Sequence, residues 1–247
     1  MDTKYDEKLK WLRKTIDKSQ YLVSLVGVGI STQCGCTNYR EENDAYRCEE
    51  KYGYSPEEMF NASFFNTRPE LFYKFYKTEM LRELGEVEDG LYALKRLEDQ
   101  GKLKCIITRD IFSLPRRAGC KNVYELHGSV FDNICPHCKK HYSAEYIKNC
   151  KGLPKCESCG TVIRPGVSLI GEMVDNALIS NAASEVQKAD TLLVMGCNLK
   201  SMLAEIFLKY FEGQRLILLN DHEHFADCMA DLVIYGKPVD ILKDLGI

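Results

Sequence analysis

The chain has 247 residues, of which 45% are hydrophobic and 28% are charged, with a formal net charge of −3. This apolar fraction is typical of a globular chain with a sizeable core and excludes a mostly disordered one. The charge balance indicates neither a nucleic-acid nor an anionic-membrane partner, and no apolar run approaches the ~18 residues of a membrane span. Because residues 1–10 are polar and charged, unlike a secretory signal, we expect a cytoplasmic protein.

The first predicted elements are a helix and a buried strand. Residues 5–19 have apolar side chains near helical spacing, which predicts an amphipathic helix. Residues 21–26 form an apolar run of strand length, and a glycine-containing turn, residues 27–31, follows at once. A strand that leads directly into such a turn is how open α/β sheets begin a phosphate-binding crevice.

Residues 41–84 have a different character, because they are rich in charged and aromatic side chains. They predict an insert of two or three short helices with little strand. Ser55 followed by Pro56 is a typical helix start, with serine as the cap and proline at the first position. Pro69 marks the start of another helix.

The rest of the chain alternates between helices and short apolar strands. Strands are predicted at residues 103–108, 123–126, 191–195 and 215–219. A helix is predicted at residues 89–100, and helix-like stretches lie between the last two strands and after them. This alternation predicts an α/β fold with a parallel sheet that is covered on both faces.

Four of the twelve cysteines form two Cys-x-x-Cys pairs that are separated by residues 139–155, 17 in all. This spacing lies in the window of zinc ribbons and predicts a closed, structural Zn²⁺ site with four thiolate ligands. Reduced free thiols, or His137, His141 or Cys150 as a substitute ligand, are the alternatives. The predicted ligands are Cys135, Cys138, Cys156 and Cys159.

The glycine turn alone does not indicate an ordinary dehydrogenase. Gly27 and Gly29 supply two glycines of the dinucleotide-binding fingerprint, but position 32 is threonine. No clear acidic residue ends a second strand about 20 residues further on, where the ribose contact of that fingerprint is expected.

The wider pattern resembles the sirtuin family over nearly the whole chain. Residues 27–40 read GVGISTQCGCTNYR, which is similar to the family loop G-A-G-I-S-x-x-S-G-I-P-D-F-R. Residues 107–111 (ITRDI) resemble I-T-Q-N-I, and residues 125–128 (ELHG) match the stretch that ends at the family's catalytic histidine. Residues 164–172 (RPGVSLIGE) are similar to R-P-x-V-V-x-F-G-E, and residues 195–199 (MGCNL) resemble G-T-S-L.

This resemblance implies a fold and an activity. Residues 1–40, 85–128 and 164–247 would form a Rossmann-like NAD-binding domain, while the helical insert 41–84 and the zinc module 129–163 would form a smaller domain. NAD and an acylated lysine of a protein substrate would meet between them. The implied reaction is NAD-dependent deacylation, in which nicotinamide leaves and the acyl oxygen captures the ribose C1′, giving O-acyl-ADP-ribose.

The resemblance also assigns roles to residues. His127 corresponds to the catalytic base, a role that suits an imidazole because it titrates near neutral pH. Asp110 takes the place of the family asparagine that positions ribose and water. The implied cofactor-binding residues are Gly27, Val28, Gly29, Ser31, Tyr39, Arg40, Arg109, Gly196, Cys197, Asn198 and Asn220.

The departures from the family pattern cluster among the residues to which the resemblance assigns the chemistry. The family Gln-Asn-Ile-Asp stretch reads Arg109-Asp110-Ile111-Phe112. An ionised carboxylate only accepts hydrogen bonds, whereas an amide also donates them. Phe112 would leave a buried carboxamide partly unsatisfied, at a cost of roughly 1–3 kcal/mol. The sequence leaves open whether Arg109 and Asp110 neutralise each other.

Three functions fit these departures. Lysine deacylation through Asp110 and His127 is the leading hypothesis. The first alternative is ADP-ribosyl transfer or NAD hydrolysis, since a carboxylate ~4 Å from a ribosyl cation contributes roughly 4 kcal/mol at an effective dielectric constant of about 20. The second is a protein that binds NAD or ADP-ribose without turnover.

Overall fold

The structure, a computed structural model, describes residues 3–39 and 42–247. Its strands are β1 (Leu22–Val26), β2 (Leu103–Thr108), β3 (Val123–Glu125), β4 (Asn133–Ile134), β5 (His141–Tyr142), β6 (Thr191–Met195), β7 (Arg215–Asn220) and β8 (Leu232–Tyr235). Six of them form one sheet in the order β3-β2-β1-β6-β7-β8, with every neighbouring pair parallel. With the small antiparallel β4–β5 pair set aside, this is the strand order of doubly wound dinucleotide-binding folds.

Helices cover the sheet and build the insert. Within the described residues the α-helices are α1 (Thr3–Lys18), α2 (Val28–Gln33), α3 (Glu42–Tyr52), α4 (Pro56–Met59), α5 (Ala62–Thr67), α6 (Pro69–Phe75), α7 (Asp89–Asp99), α8 (Leu114–Arg117), α9 (Ala144–Asn149), α10 (Asn176–Lys188), α11 (Met202–Leu208) and α12 (Pro238–Asp244). A π-helical turn, Tyr76–Met80, continues α6, and a 3₁₀ helix spans Phe225–Met229. No helix among the described residues has the length and apolar character needed to cross a membrane.

Both faces of the sheet are buried, as the alternation of apolar strands and helices predicts. Along β1, Leu22 and Val26 pack into one hydrophobic cluster, while Val23 and Leu25 pack into the cluster on the opposite face. Successive side chains of a strand point to opposite faces, so a strand that is apolar throughout needs cover on both sides. The predicted α/β class with a parallel sheet is therefore confirmed.

The insert contains more helices than predicted. Residues 42–80 form four short α-helices and the π-helical turn, where the sequence indicated two or three helices. The predicted cap at Ser55 is confirmed, because its hydroxyl accepts from the Glu58 N–H and the Glu58 carboxylate accepts from the Ser55 N–H. Helices of four to seven residues that are separated by only one or two cap residues, as α4, α5 and α6 are, look like one longer helix in a sequence pattern.

The prediction after β7 is wrong at one place. Residues 232–235 form β8, the edge strand that pairs with β7, where helix-like sequence was expected. The buried residues of this strand are Leu232 and Ile234. Because the strand has only four residues, its sequence is too short to show the two-residue period that identifies a strand.

The insert packs directly against the cysteine-bearing segment. The Lys77 ammonium donates to the backbone oxygens of Cys150 and Gly152, at 2.6 Å each. The Tyr73 hydroxyl donates to the backbone oxygen of Ile163 inside a buried aromatic cluster that includes Phe72 and Tyr76. These contacts join residues that lie about 70 to 90 positions apart in the chain.

Candidate functional site

The sheet has a topological switch point between β1 and β6. The chain runs from β1 outward to β2 and β3, and then returns to the other side of β1 to form β6. Turns leave the two strands at the same edge of the sheet, since both are parallel. In open α/β sheets the crevice at the carboxyl ends of such strands is the usual ligand site.

Glycines let the two turns touch. The N–H of Gly27 donates to the Met195 oxygen, and the N–H of Gly29 donates to the Gly196 oxygen, both at 2.8 Å. A Cβ atom on Gly27 would lie 2.4 Å from the Cβ of Cys197, closer than real carbon atoms approach. The sequence signal at Gly27 and Gly29 therefore reflects a close approach of two backbones.

A cavity of about 350 Å³ opens beside these turns, which is within the size range of small-molecule sites. Its wall contains both predicted catalytic residues, Asp110 and His127. It also contains five of the predicted cofactor-binding residues, namely Gly27, Val28, Tyr39, Arg109 and Cys197.

The other predicted cofactor-binding residues have different positions. Gly29 and Gly196 form the contact between the turns, and the buried Ser31 lies on α2. Asn198 accepts from the Lys200 N–H in the turn after β6, while the Asn220 amide donates to the His222 oxygen after β7. Neither asparagine is in the wall of the cavity described above. Arg40 lies outside the described residues.

His127 follows β3 directly and contacts Arg109. The Nε–H of Arg109 donates to Nε2 of His127 at 2.8 Å. A ring nitrogen that accepts a hydrogen bond carries no proton, so this contact assigns the neutral imidazole with its proton on Nδ1. The His127 backbone oxygen accepts from the Ser168 N–H at 2.9 Å, which ties the histidine to the segment after the cysteine module.

Asp110 lies at the end of β2 and is buried, with 9% of its surface exposed. Its Oδ2 accepts from the Phe112 N–H at 2.9 Å, and its own N–H donates to the Thr108 hydroxyl at 3.0 Å. Burial raises the pKa of this carboxyl, although the nearby Ser31 hydroxyl and two backbone N–H groups oppose the shift. Arg109 and Asp110 therefore have different hydrogen-bond partners, which the sequence left open.

Several residues of the cavity wall have no role assigned to them in the sequence analysis. Thr37, Ser168 and Leu169 lie in the stretches 27–40 and 164–172 that resemble the family, whereas Phe60, Met80 and Ser201 lie outside the motifs quoted above. Ser201 alone had a usable signal, because it caps the helix that follows β6 through a bond from the Ala204 N–H. The others reach the cavity only through the packing of distant segments.

The four predicted cysteines form one cluster. Their sulfur atoms all lie within 4.8 Å of one another, and two of the pairs, Cys135–Cys159 and Cys138–Cys156, are 3.4 Å apart. A tetrahedral Zn²⁺ with bonds of about 2.3 Å holds its sulfurs ~3.8 Å apart, so the cluster has the right size.

The chemistry of the cluster also fits a divalent cation. The Tyr142 hydroxyl donates to the Cys156 sulfur at 3.1 Å and lowers the pKa of that thiol. Thiolates packed this closely repel each other unless a cation balances their charge, and Zn²⁺ binding supplies that balance. His141 and Cys150 point to other partners, Asp132 and backbone oxygens, and the described cluster consists of cysteines only.

The family of the chain follows from a direct comparison. The model of the Sir2 family matches residues 27–202, a span that includes the glycine turn, His127 and the four cysteines. The chain belongs to the Sir2 family. This confirms the resemblance to sirtuins and, together with the strand order and the cysteine cluster, the predicted fold.

Relatives of this sirtuin match it over nearly its full length. A protein of Clostridium acetobutylicum named NAD-dependent protein deacetylase is 38% identical over 238 residues, which are 96% of this chain and 97% of that protein. A solved complex of a Sir2 homologue with NAD superposes with a TM-score of 0.79 at 32% identity, covering 96% of this chain and 91% of the other. A Sir2 homologue variant in complex with 2′-O-acetyl-ADP-ribose superposes with a TM-score of 0.77 at 32% identity, covering 99% and 95%.

Proposed function

We propose that this sirtuin is an NAD-dependent protein-lysine deacylase that releases nicotinamide and forms O-acyl-ADP-ribose. The observation that carries the proposal is the placement of His127 and Asp110 on the cavity that also contains the glycine turn. Relatives named for this activity and matched along their whole length support it. No feature of the cavity favours ADP-ribosyl transfer, NAD hydrolysis or binding without turnover over deacylation.

The cavity fits NAD by its position and by its polar groups. It opens at the switch point of a doubly wound sheet, where such folds bind dinucleotides. The Ser31 hydroxyl is buried and makes no hydrogen bond among the described residues, and such an orphaned buried group fits a polar ligand. NAD supplies an activated ribose carbon with nicotinamide as its leaving group.

The residues around the glycine turn would hold the cofactor. In this proposal Gly27, Val28, Gly29, Ser31, Gly196 and Cys197 surround the diphosphate. Asn198 and Asn220 lie toward the adenosine, and Tyr39 and Arg109 lie near the reacting end. The close contact of the turns at Gly27 and Gly196 supports the first group, because it brings these residues together at one edge of the sheet.

His127 is the proposed general base, and Nε2 is the atom that takes the proton. Arg109 now donates to this nitrogen, so a ribose hydroxyl must replace the Arg109 N–H before proton transfer. A general base needs heavy-atom contact of about 2.6–3.2 Å with the proton donor. The 2.8 Å contact of Nε2 with Arg109 lies in this range and supports the assignment of Nε2 as the acceptor.

The proposed Zn²⁺ is structural. Cys135, Cys138, Cys156 and Cys159 fill all four positions of a tetrahedral site, which leaves no open position for a substrate. The ion would hold the β4–β5 module, whose Ile134 oxygen accepts from the Arg164 N–H in the segment that leads back to the cavity.

The proposed substrate is an acylated lysine of a protein or peptide. Phe60, Met80, Leu169 and Ile170 give the cavity an apolar side that suits the methylene chain and the acyl group. We further propose that residues 1–40, 85–128 and 164–247 form the NAD-binding domain, and that 41–84 and 129–163 form the small domain. A cytoplasmic location is proposed because a four-thiolate site persists where thiols stay reduced.

The proposal predicts that nicotinamide release from NAD depends on an acylated peptide. Chromatography of reactions with an acetyl-lysine peptide, with the same peptide unacetylated, and without peptide tests this dependence. Release only with the acetylated peptide supports the proposal. Equal release in all three reactions would replace deacylation by NAD hydrolysis or transfer to another acceptor.

A further inference from the structure

Asp110 is a buried carboxyl group in the wall of the cavity. Its Oδ2 accepts from the Phe112 N–H at 2.9 Å, and the Ile111 N–H also lies close to the carboxyl. The Ser31 hydroxyl faces the same carboxyl without completing a bond. The carboxyl thus borders the cavity and can contact a ligand there.

The charges around Asp110 disfavour a second negative charge. Its described neighbours form no ion pair with it, and the charged group that faces it is the carboxylate of Glu125 on β3. The thiols of Cys34 and Cys36, after α2, also face it, but burial raises the pKa of both, so they are neutral and supply no balancing charge. Of the nearby cations, Arg109 donates to His127, and Arg117 on α8 donates to the backbone oxygens of Leu84 and Gly85. The pKa of Asp110 is raised, chiefly by burial.

An anionic ligand in the same cavity further disfavours the ionised form of Asp110. NAD carries a negatively charged diphosphate, so binding it next to an ionised buried carboxylate places like charges together in a site with little water. A protonated carboxyl avoids the repulsion and supplies one O–H donor beside its remaining acceptor capacity. Carboxylic acids kept neutral by apolar sites are known to donate hydrogen bonds in enzymes.

We propose that Asp110 acts as a neutral carboxylic acid whose O–H donates a hydrogen bond to NAD in the cavity. In this form it offers a donor and an acceptor, as an amide does, and it needs no nearby cation. The inference deepens the proposed function and rests on NAD as the ligand. It also assigns the protonation step: the free protein takes up one proton when NAD binds at a pH where Asp110 is ionised.

The inference predicts a specific pH dependence of NAD affinity. Where free Asp110 is ionised, the affinity falls by about tenfold for each unit of rising pH, because each bound NAD requires one proton. In Asp110→Asn the amide keeps its donor at every pH, so this fall disappears. His127 is present in both proteins, and the comparison therefore isolates the contribution of position 110.

Calorimetric titration of the full-length protein with NAD between pH 6 and 9 tests the inference without turnover. Measurements in two buffers of different ionisation enthalpy count the protons taken up. We expect wild type to take up a proton that Asp110→Asn does not, and the matched control Asp99→Asn, at an exposed position that pairs with Lys95, to behave as wild type.

Each outcome decides the question. If wild type takes up no proton and binds NAD more weakly than Asp110→Asn at every pH, the carboxyl is ionised in the complex, which overturns the inference while leaving NAD as the ligand. If wild type takes up no proton but matches the affinity of Asp110→Asn, the carboxyl is already neutral in the free protein, which supports the inference. NAD binding to neither protein at any pH overturns the proposed function and the inference with it. If Asp110→Asn does not fold, which circular dichroism shows, Asp110→Ala takes its place in the comparison, because it also has no ionisable group at position 110.

Discussion

Replacing His127 by alanine is expected to lower kcat/KM for deacylation of an acetyl-lysine peptide by about 10²–10⁴-fold, the usual contribution of a general base. In the proposed mechanism the imidazole Nε2 accepts the proton; His127 lies in the cavity wall, and Arg109 donates to its Nε2. Because the side chain is only half-buried, the fold and the NAD affinity should change little. Steady-state kinetics, with calorimetry for NAD, measure both quantities.

The matched control is His222→Ala. His222 is an exposed histidine whose side chain contacts only its neighbour Asp221 among the described residues. The His222→Ala variant should keep the activity of wild type. Undiminished deacylation by His127→Ala would refute the assignment of the base, and a loss of NAD affinity equal to the loss of kcat/KM would make His127 a binding residue instead.

Loss of the metal is expected to destabilise the protein strongly. Structural zinc sites contribute apparent binding free energies of about 10–16 kcal/mol in small peptides at neutral pH. If only about 5 kcal/mol of this stabilises the present chain, Cys156→Ser should lower the Tm by about 10–20 °C, at 2–4 °C per kcal/mol. Thermal unfolding by circular dichroism and elemental analysis for one equivalent of zinc test this prediction together.

Cys150→Ser is the control for this variant. Cys150 belongs to the same module, but its sulfur contacts the backbone oxygens of Lys151 and Leu153 and lies outside the cluster. The Cys150→Ser variant should keep both the metal and the Tm of wild type. A wild-type protein that is folded without bound metal and unfolds at the same temperature as Cys156→Ser would contradict the structural role of the cluster.

The parts of the fold that could be predicted are those that follow from local pattern. The apolar run before Gly27 indicated β1, because a strand buried on both faces needs apolar side chains throughout. The two Cys-x-x-Cys pairs indicated the metal cluster, since four thiols at this spacing have few other uses in a reduced chain. The cap at Ser55 is equally local.

The parts that could not be predicted depend on packing between distant segments. Arg109 and Asp110 are adjacent in sequence, and only the geometry at the end of β2 directs one to His127 and the other to the Phe112 N–H. Ser168 and Met80 reach the cavity from the segment after the cysteine module and from the insert. The edge strand β8 is defined by its pairing with β7 rather than by its own four residues.

Phe112 affects which groups of the site can hydrogen-bond to a ligand. It is buried and lies in the cavity wall, so the site has an apolar side chain where the family pattern has an acid. With Phe112 apolar, Asp110 is the acidic residue of this stretch that can hydrogen-bond to a ligand in the cavity. This makes the protonation of Asp110 central to how the site accepts NAD.

The most direct test of the account is the identity of the product that carries the acyl group. Mass spectrometry of a reaction with NAD and an acetyl-lysine peptide should show acetyl-ADP-ribose, formed in equal amounts with nicotinamide and deacetylated peptide. Free ADP-ribose formed while the peptide keeps its acetyl group would contradict deacylation as the function of this sirtuin.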